Sequence, residues 1–292
     1  MFDIVNVGAV AGGECYLLIG DEKTALIDSG FAFCAETVVK NLENHLQGRP
    51  LDYILLTHSH YDHVSGTPYV KARWPEALVV SSAHAAKALQ RPTAKRVLKE
   101  MNEHVAQSFG VSSFPPAPVE LAIDLVVKEG DLLDFGNMTL EVLETPGHTR
   151  CAIAFYSKEA DLLLANETFG TLGDGVEDVI PCHLVGHQAT LDSIKKAASK
   201  EAEHVLIPHY GLVHGKDAKD YFDASSRNVE RTKELLVEGY EEGLDLDGLI
   251  QLLKETYYNE TLASYQPEAA FLLNAGYMIP MILREVLGVD VS

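Results

Sequence analysis

The run Thr57-His58-Ser59-His60-Tyr61-Asp62-His63 concentrates imidazoles and a carboxylate in seven positions. It follows the short apolar segment Tyr53 to Leu56, which reads as a buried strand. In an extended backbone, residues two apart project to the same side, so His58 and His60 present two imidazoles able to hold one metal ion. Asp62 and His63 come where the chain turns into a helix, which directs a carboxylate and a further imidazole toward a second ion. Asp62 is also placed to accept or donate a proton for a leaving group, a role that coordination would limit. An ordinary polar strand-helix loop accounts poorly for this run, because histidine is uncommon and here recurs around an aspartate.

Such a site needs donors from elsewhere in the chain. Glu144-Thr145-Pro146-Gly147-His148-Thr149 places His148 on a tight turn after a strand-like segment, suited to completing the first site. Alone, a histidine after Pro-Gly reads as a surface turn residue; beside the first motif it reads as a ligand. Ile207-Pro208-His209-Tyr210-Gly211 offers His209 for the second ion, with His214 as its competitor. Cys182, His183 and His187 share one loop, for which packing is the simpler account and a place at the site's mouth the functional one. Two bound cations would lower the pKa of a water to roughly 7 and polarise a carbonyl, which is hydrolytic chemistry. The chain has no Gly-x-Ser-x-Gly motif to suggest a serine nucleophile instead.

The His-x-His-x-Asp-His run, Thr145-Pro146-Gly147-His148-Thr149, Leu26-Ile27-Asp28-Ser29-Gly30 and the late His209 together resemble the metallo-β-lactamase superfamily, in order and spacing, over residues 1 to about 215. The helical tail and the helix-rich stretch after Ser81 resemble more particularly a quinolone-signal response, thioesterase-like member of it. The resemblance implies His58, His60 and His148 on one metal and Asp62, His63 and His209 on the other, with Asp28 supporting them without touching metal. It also implies a bridging carboxylate. There the superfamily usually has Gly-Asp-Thr and this chain has Asn166-Glu167-Thr168, so Glu167 takes that role with one extra methylene, and Asp174 and Asp178 stand as outside candidates. The usual Pro-Gly-His is shortened to Pro208-His209, which keeps His214 in play. Tyr210, Tyr277 and His183 are the residues expected to face substrate. The implied cofactors are two divalent ions, zinc or iron, with manganese also compatible. An oxygen-reducing di-iron protein is a further reading of the scaffold, although such relatives carry Glu where this chain has His60.

The elements that must position these groups are legible as two successive β-then-α halves. The first has strand-like runs at Ile4 to Val7, Tyr16 to Ile19 and Ala25 to Ile27, a helix from Phe33 to Leu46, and helical stretches at Val64 to Trp74 and Ala83 to Phe109. The second has strands at Leu121 to Val127, Met138 to Leu143, Ala152 to Tyr156, Leu162 to Leu164 and Val205 to Ile207, with a helix near Gln188 to Ala198. Beyond Gly215 the pattern is helical: Lys216 to Glu242, Asp245 to Tyr258 and Pro267 to Leu287. The expected fold class is α/β (α+β), an αββα sandwich. Residues 1–215 are expected to form the catalytic domain and 216–292 a helical extension covering its active site.

Bulk composition narrows the partners. With 23 basic and 43 acidic residues among 292, the formal charge is −20, a field that repels phosphate backbones and anionic lipid. Nucleic acid and membrane are therefore not expected as partners; a small-molecule substrate is, and a homodimer stays open. The widely spaced Cys15, Cys34, Cys151 and Cys182 form no Cys-x-x-Cys pair and read as buried thiols. No basic leader opens the sequence and no apolar stretch is read as reaching the ~18 residues of a membrane span, so a cytoplasmic location is expected. The resulting expectation is a metal-dependent hydrolase of an ester, thioester or lactone, with a catalytically weak regulatory or binding protein on the same fold as its alternative.

Overall fold

The computed structural model describes residues 2–291, which divide into two compact units. The first comprises Met1–Glu144 with Ile153–Ala160, and the second Thr145–Ala152 with Asp161–Ser292. This division differs from a boundary at residue 215. In the second unit, the long helix α7 (Lys216–Glu241) is tied to the loop that carries Glu167: Tyr221 Oη donates to the Gly170 carbonyl at 2.8 Å and Ser225 Oγ to that of Phe169 at 2.6 Å. α7 is thus bonded to the loop that carries Glu167.

The first unit contains a sheet in the order β1 (Asp3–Asn6), β2 (Tyr16–Ile19), β3 (Thr24–Ile27), β4 (Tyr53–Leu55), β5 (Leu78–Ser82) and β6 (Leu125–Val127). β1 to β3 form an antiparallel meander, and β3 to β6 run parallel. α1 (Ala35–Leu46) presents Val38, Leu42 and Leu46 to Leu26 and Ile54 of the sheet, the helical spacing read from sequence. Each such fully buried aliphatic side chain contributes roughly 1.5–3 kcal/mol. α2 (Tyr61–Val64) and α3 (Thr67–Arg73) follow β4, and α4 (Ala83–Leu89) and α5 (Pro92–Ser108) follow β5. The break between α4 and α5 lies at Arg91-Pro92, because proline opens α5. A separate antiparallel set, β7 (Leu132–Asp134), β8 (Thr139–Glu144) and β9 (Ile153–Ser157), completes the unit.

In the second unit, β10 (Leu162–Leu164) pairs in parallel with β13 (His204–Ile207), which turns back into β14 (Gly211–His214). Between them lie the short hairpin β11 (Thr171–Leu172) and β12 (Val179–Ile180) and then α6 (His187–Ala198). After α7 come α8 (Leu246–Tyr257), α9 (Glu260–Tyr265) and α10 (Glu268–Leu287). α10 is long and apolar enough, by length and composition, to cross a membrane, contrary to the expectation that no stretch is; its apolar residues are spread among Asn274, Tyr277 and Arg284 and form no continuous run. Here its Phe271, Ala275, Ile279, Ile282 and Leu283 join Leu249 and Leu253 of α8 in a buried cluster, the arrangement of a core helix.

Candidate metal centre

Within the first unit the donors stand at the carboxyl ends of parallel strands, where open α/β sheets place their ligands. β3 and β4 are in register, Ile27 opposite Leu55, so Asp28 and the Thr57-His58 segment emerge side by side. Asp28 adopts a left-handed backbone (φ 56), a conformation aspartate tolerates better than most residues. Its carboxylate accepts three hydrogen bonds: Thr57 N at 2.9 Å, Thr57 Oγ1 at 2.8 Å and His63 Nδ1 at 2.8 Å.

That carboxylate fixes two rings. An ionised carboxylate only accepts, so His63 Nδ1 carries its proton and leaves Nε2 as the lone-pair nitrogen. Because the Thr57 hydroxyl spends its proton on Asp28, its oxygen is free to accept from His58 Nδ1 at 3.1 Å. His58 is thereby set in the same tautomer, with Nε2 available to a metal. His58 and His63 are buried, with ring centroids 4.1 Å apart, and His60 lies 4.7 Å from His58. The donor atoms of His58 and His60 fall within 4.8 Å of one another, as do those of Asp62 and His63.

Two supports of this loop were not legible in sequence. Asn102 of α5 accepts from Ala32 N at 2.7 Å and donates to Ser65 Oγ at 2.8 Å, clamping the segments just past Asp28 and His63. Gly66 lies so close to Ser29 that a Cβ would come within 2.0 Å of the Ser29 carbonyl, which excludes any other residue there.

The second unit gathers its donors from three loops. His148 and His209 approach the two oxygens of one carboxylate: His148 Nε2 lies 2.6 Å from Glu167 Oε2, and His209 Nε2 lies 2.9 Å from Glu167 Oε1. His148 Nδ1 donates to the Cys182 carbonyl at 2.7 Å, which fixes its tautomer as Asp28 does for His63. Its turn is seated by Thr168, whose hydroxyl accepts from His148 N at 3.2 Å and donates to the Thr145 carbonyl at 2.7 Å. Gly147 makes that seat possible, since a Cβ there would meet Thr168 Cγ2 at 2.4 Å and Thr190 Oγ1 at 2.6 Å. Asn166, standing where the family pattern has glycine, donates to Thr145 Oγ1 at 2.7 Å and caps the Thr168 amide at 2.9 Å. The left-handed backbone that Pro-Gly-His would assign to glycine falls on His209 itself (φ 60). The His209 ring stacks on Tyr265 of α9 at 5.7 Å, a partner that nothing in the sequence pattern signalled.

Electrostatics favour positive charge at both clusters. Burial opposes protonation of His148, yet Glu167 and then the Cys182 side chain hold its pKa well above the ordinary imidazole value. Burial likewise works against His63, and Asp62 and Asp28 outweigh it. The carboxylates raise the affinity of these imidazoles for a proton, so both donor sets favour positive charge; neutral imidazoles and carboxylates are the groups that bind divalent zinc or iron.

The remaining candidates are placed as follows. Tyr210 and Tyr277 are 51% and 62% exposed, whereas His183 is completely buried. Burial, then repulsion by His187 and His148, lowers the His183 pKa to about 3, so the ring is neutral. His214 pairs with His204, Nδ1 to Nδ1 at 3.0 Å, and not with Glu167. Asp178 binds the Asp174 amide at 2.9 Å, and Thr261 Oγ1 donates to the Asp174 carboxylate, so both aspartates serve the loop after β11.

Residues 9–209 match the family model described as the metallo-beta-lactamase superfamily. The chain belongs to that superfamily. It has the superfamily's mixed α/β fold with a helical C-terminal region. Among curated proteins it is similar to the hydroxyacylglutathione hydrolase of Brucella ovis, 29% identical over 165 residues, which cover 54% of this chain and 49% of the relative. The chain thus spans about half the length of the curated relatives it matches. Among solved structures, a metallo-beta-lactamase family protein of Thermus thermophilus aligns with a TM-score of 0.67 at 20% identity, covering 97% of this chain and 93% of that one. An archaeal superfamily protein of Sulfolobus tokodaii aligns with a TM-score of 0.58 at 19% identity, covering 99% and 98%. These two likenesses concern the fold.

Proposed function

We propose that the chain is a dinuclear metallohydrolase of small esters, thioesters or lactones. In this reading His58, His60 and His148 hold one ion, Asp62, His63 and His209 the other, and Glu167 spans both. The observation that carries it is the Glu167 carboxylate, which turns one oxygen to His148 and the other to His209, the disposition a bridging ligand needs. The similarity to hydroxyacylglutathione hydrolase favours a thioester over a phosphodiester or a lactam.

When bound, zinc or iron would supply an activated water and polarise the scissile carbonyl. The protein's own contribution is orientation: Asp28 through Thr57 and His63, and the Cys182 carbonyl through His148, hold Nε2 of each ring toward the ion. Asp62, partly exposed beside His63, is the group placed to take or return a proton at the leaving group. Within the second unit, a cavity of about 20 Å³ is lined by Glu167 together with Ile180, Leu253, Tyr257, Phe271 and Met278. That volume is room for about one water molecule, and its apolar lining sets α8 and α10 against the Glu167 side of the site, where on this reading they limit what can approach it.

A panel of acyl-glutathione and other thioesters, aryl esters, lactones and phosphodiesters, assayed before and after chelation, tests the proposal. Thioester hydrolysis that disappears with chelator and returns with zinc or iron is expected. Absence of metal-dependent turnover on the whole panel would leave the weak regulatory reading in its place.

A further inference from the structure

The hairpin β13–β14 carries a histidine pair that the proposed hydrolytic site does not use. His204 and His214 stand directly opposite each other in its register, and their Nδ1 atoms face at 3.0 Å with the rings nearly perpendicular, 85° apart. His214 is exposed and His204 half-buried. Two imidazole nitrogens each about 2.0 Å from one ion lie roughly 2.9 Å apart when they subtend a right angle and about 3.3 Å when the angle is tetrahedral. The observed spacing matches adjacent corners of a square-planar ion. The ladder on either side already fixes both backbones, so little ordering is needed to bring the rings to an ion.

From this juxtaposition, we propose that His204 and His214 form a second, solvent-facing metal site selective for an ion that accepts adjacent imidazoles in a tetragonal field, Cu²⁺ before Ni²⁺ and Zn²⁺. Imidazole suits all three ions, copper leads the affinity order among them, and water fills the remaining positions. The Glu203 carboxylate, 3.3 Å from where a Cβ on Gly215 would stand, adds negative potential at the same end of the hairpin. The chain's charge of −20 further raises the local concentration of cations. A hydrogen bond between two neutral rings also spans 3.0 Å; on binding, the donor ring carries its proton on Nε2 instead, so that both Nδ1 lone pairs reach the ion.

The test is titration of the zinc-loaded protein with Cu²⁺, followed by calorimetry and electron paramagnetic resonance. The wild type is expected to take one additional copper with a two-nitrogen signature. His204→Ala and His214→Ala should each weaken that step at least tenfold, with zinc content and any hydrolase turnover unchanged. The exposed His45, His84 and His104 serve as internal controls, since their alanine variants should leave the copper step intact. Copper binding that is equally strong in the His204→Ala/His214→Ala double variant, or copper uptake that occurs only by expelling zinc, would overturn the proposal. Because the readout is copper and not turnover, it stands or falls apart from the hydrolase reading.

Discussion

The two units solve one problem, presenting imidazole Nε2 atoms, by opposite means. In the first, His58, His60, Asp62 and His63 come from one strand-loop-helix passage, and a single carboxylate, Asp28, orients two rings through a short chain of hydrogen bonds. In the second, His148, Glu167 and His209 come from three loops, each seated by its own contacts: the Cys182 carbonyl and Thr168 for His148, Asn166 for the Glu167 turn, Tyr265 for His209. In the contiguous set one carboxylate orients two rings; in the dispersed set each donor has a contact of its own. Damage to the first unit's brace should therefore spread across its donors, and damage in the second should stay local.

The largest effect should come from the one dispersed residue that serves two partners. Glu167→Gln removes the negative charge facing both His148 and His209, and turnover should fall by about a thousandfold or more, with metal content reduced. Glu167→Asp, which restores the residue usual in the family, should keep most of the activity. Asp28→Asn should lower metal affinity roughly 10–100-fold, because His63 and His58 both lose their fixed tautomer. Thr57→Val should cost less, on the order of tenfold, since it breaks the link to His58 and leaves the His63 bond in place. Metal titration followed by competition with a chromophoric chelator separates these cases. Equal losses from Asp28→Asn and Thr57→Val would break the idea that one carboxylate governs both rings.

Smaller effects test the second unit's local seats. Tyr221→Phe removes the bond to the Gly170 carbonyl and should destabilise the fold by about 1 kcal/mol in urea denaturation, with the midpoint shifted and the slope kept. Completely buried His183, with its pKa lowered to about 3, adds a pH term. Its depressed value means that the unfolded chain takes up a proton that the folded chain refuses. The associated stability is present above pH about 6.5 and is lost as pH falls toward about 3, with a slope of roughly one proton. His183→Gln should flatten that limb of the unfolding free energy by one proton, and an unchanged limb would contradict the neutral buried ring.

The contrast also explains what the sequence made legible. A contiguous donor run advertises itself, since His58 to His63 are read together from spacing alone, and Thr-Pro-Gly-His marks a turn that glycine alone can press against Thr168. The strands and the three long tail helices follow from hydrophobic period. Braces are different: Asn102 acts from α5, Tyr265 from α9 and the Cys182 carbonyl from the backbone, and no local pattern marks a residue whose partner lies tens of positions away. The short β7, β11, β12 and β14 and the six-residue α9 escaped for a related reason, because each is too brief to express a period and is fixed by its neighbours. The tail was read as a helical extension covering the active site; the bonds from Tyr221 and Ser225 tie its first helix, α7, to the loop after Glu167.

The central proposal is that Glu167 bridges a pair of metal ions. Anomalous diffraction at the zinc and iron absorption edges, on crystals of protein purified without added metal, tests it most directly. Two peaks are expected, one contacting His58, His60 and His148 and the other Asp62, His63 and His209, with Glu167 touching both. A single peak on the donors of one unit alone, or ions bound with Glu167 turned away, would contradict the account.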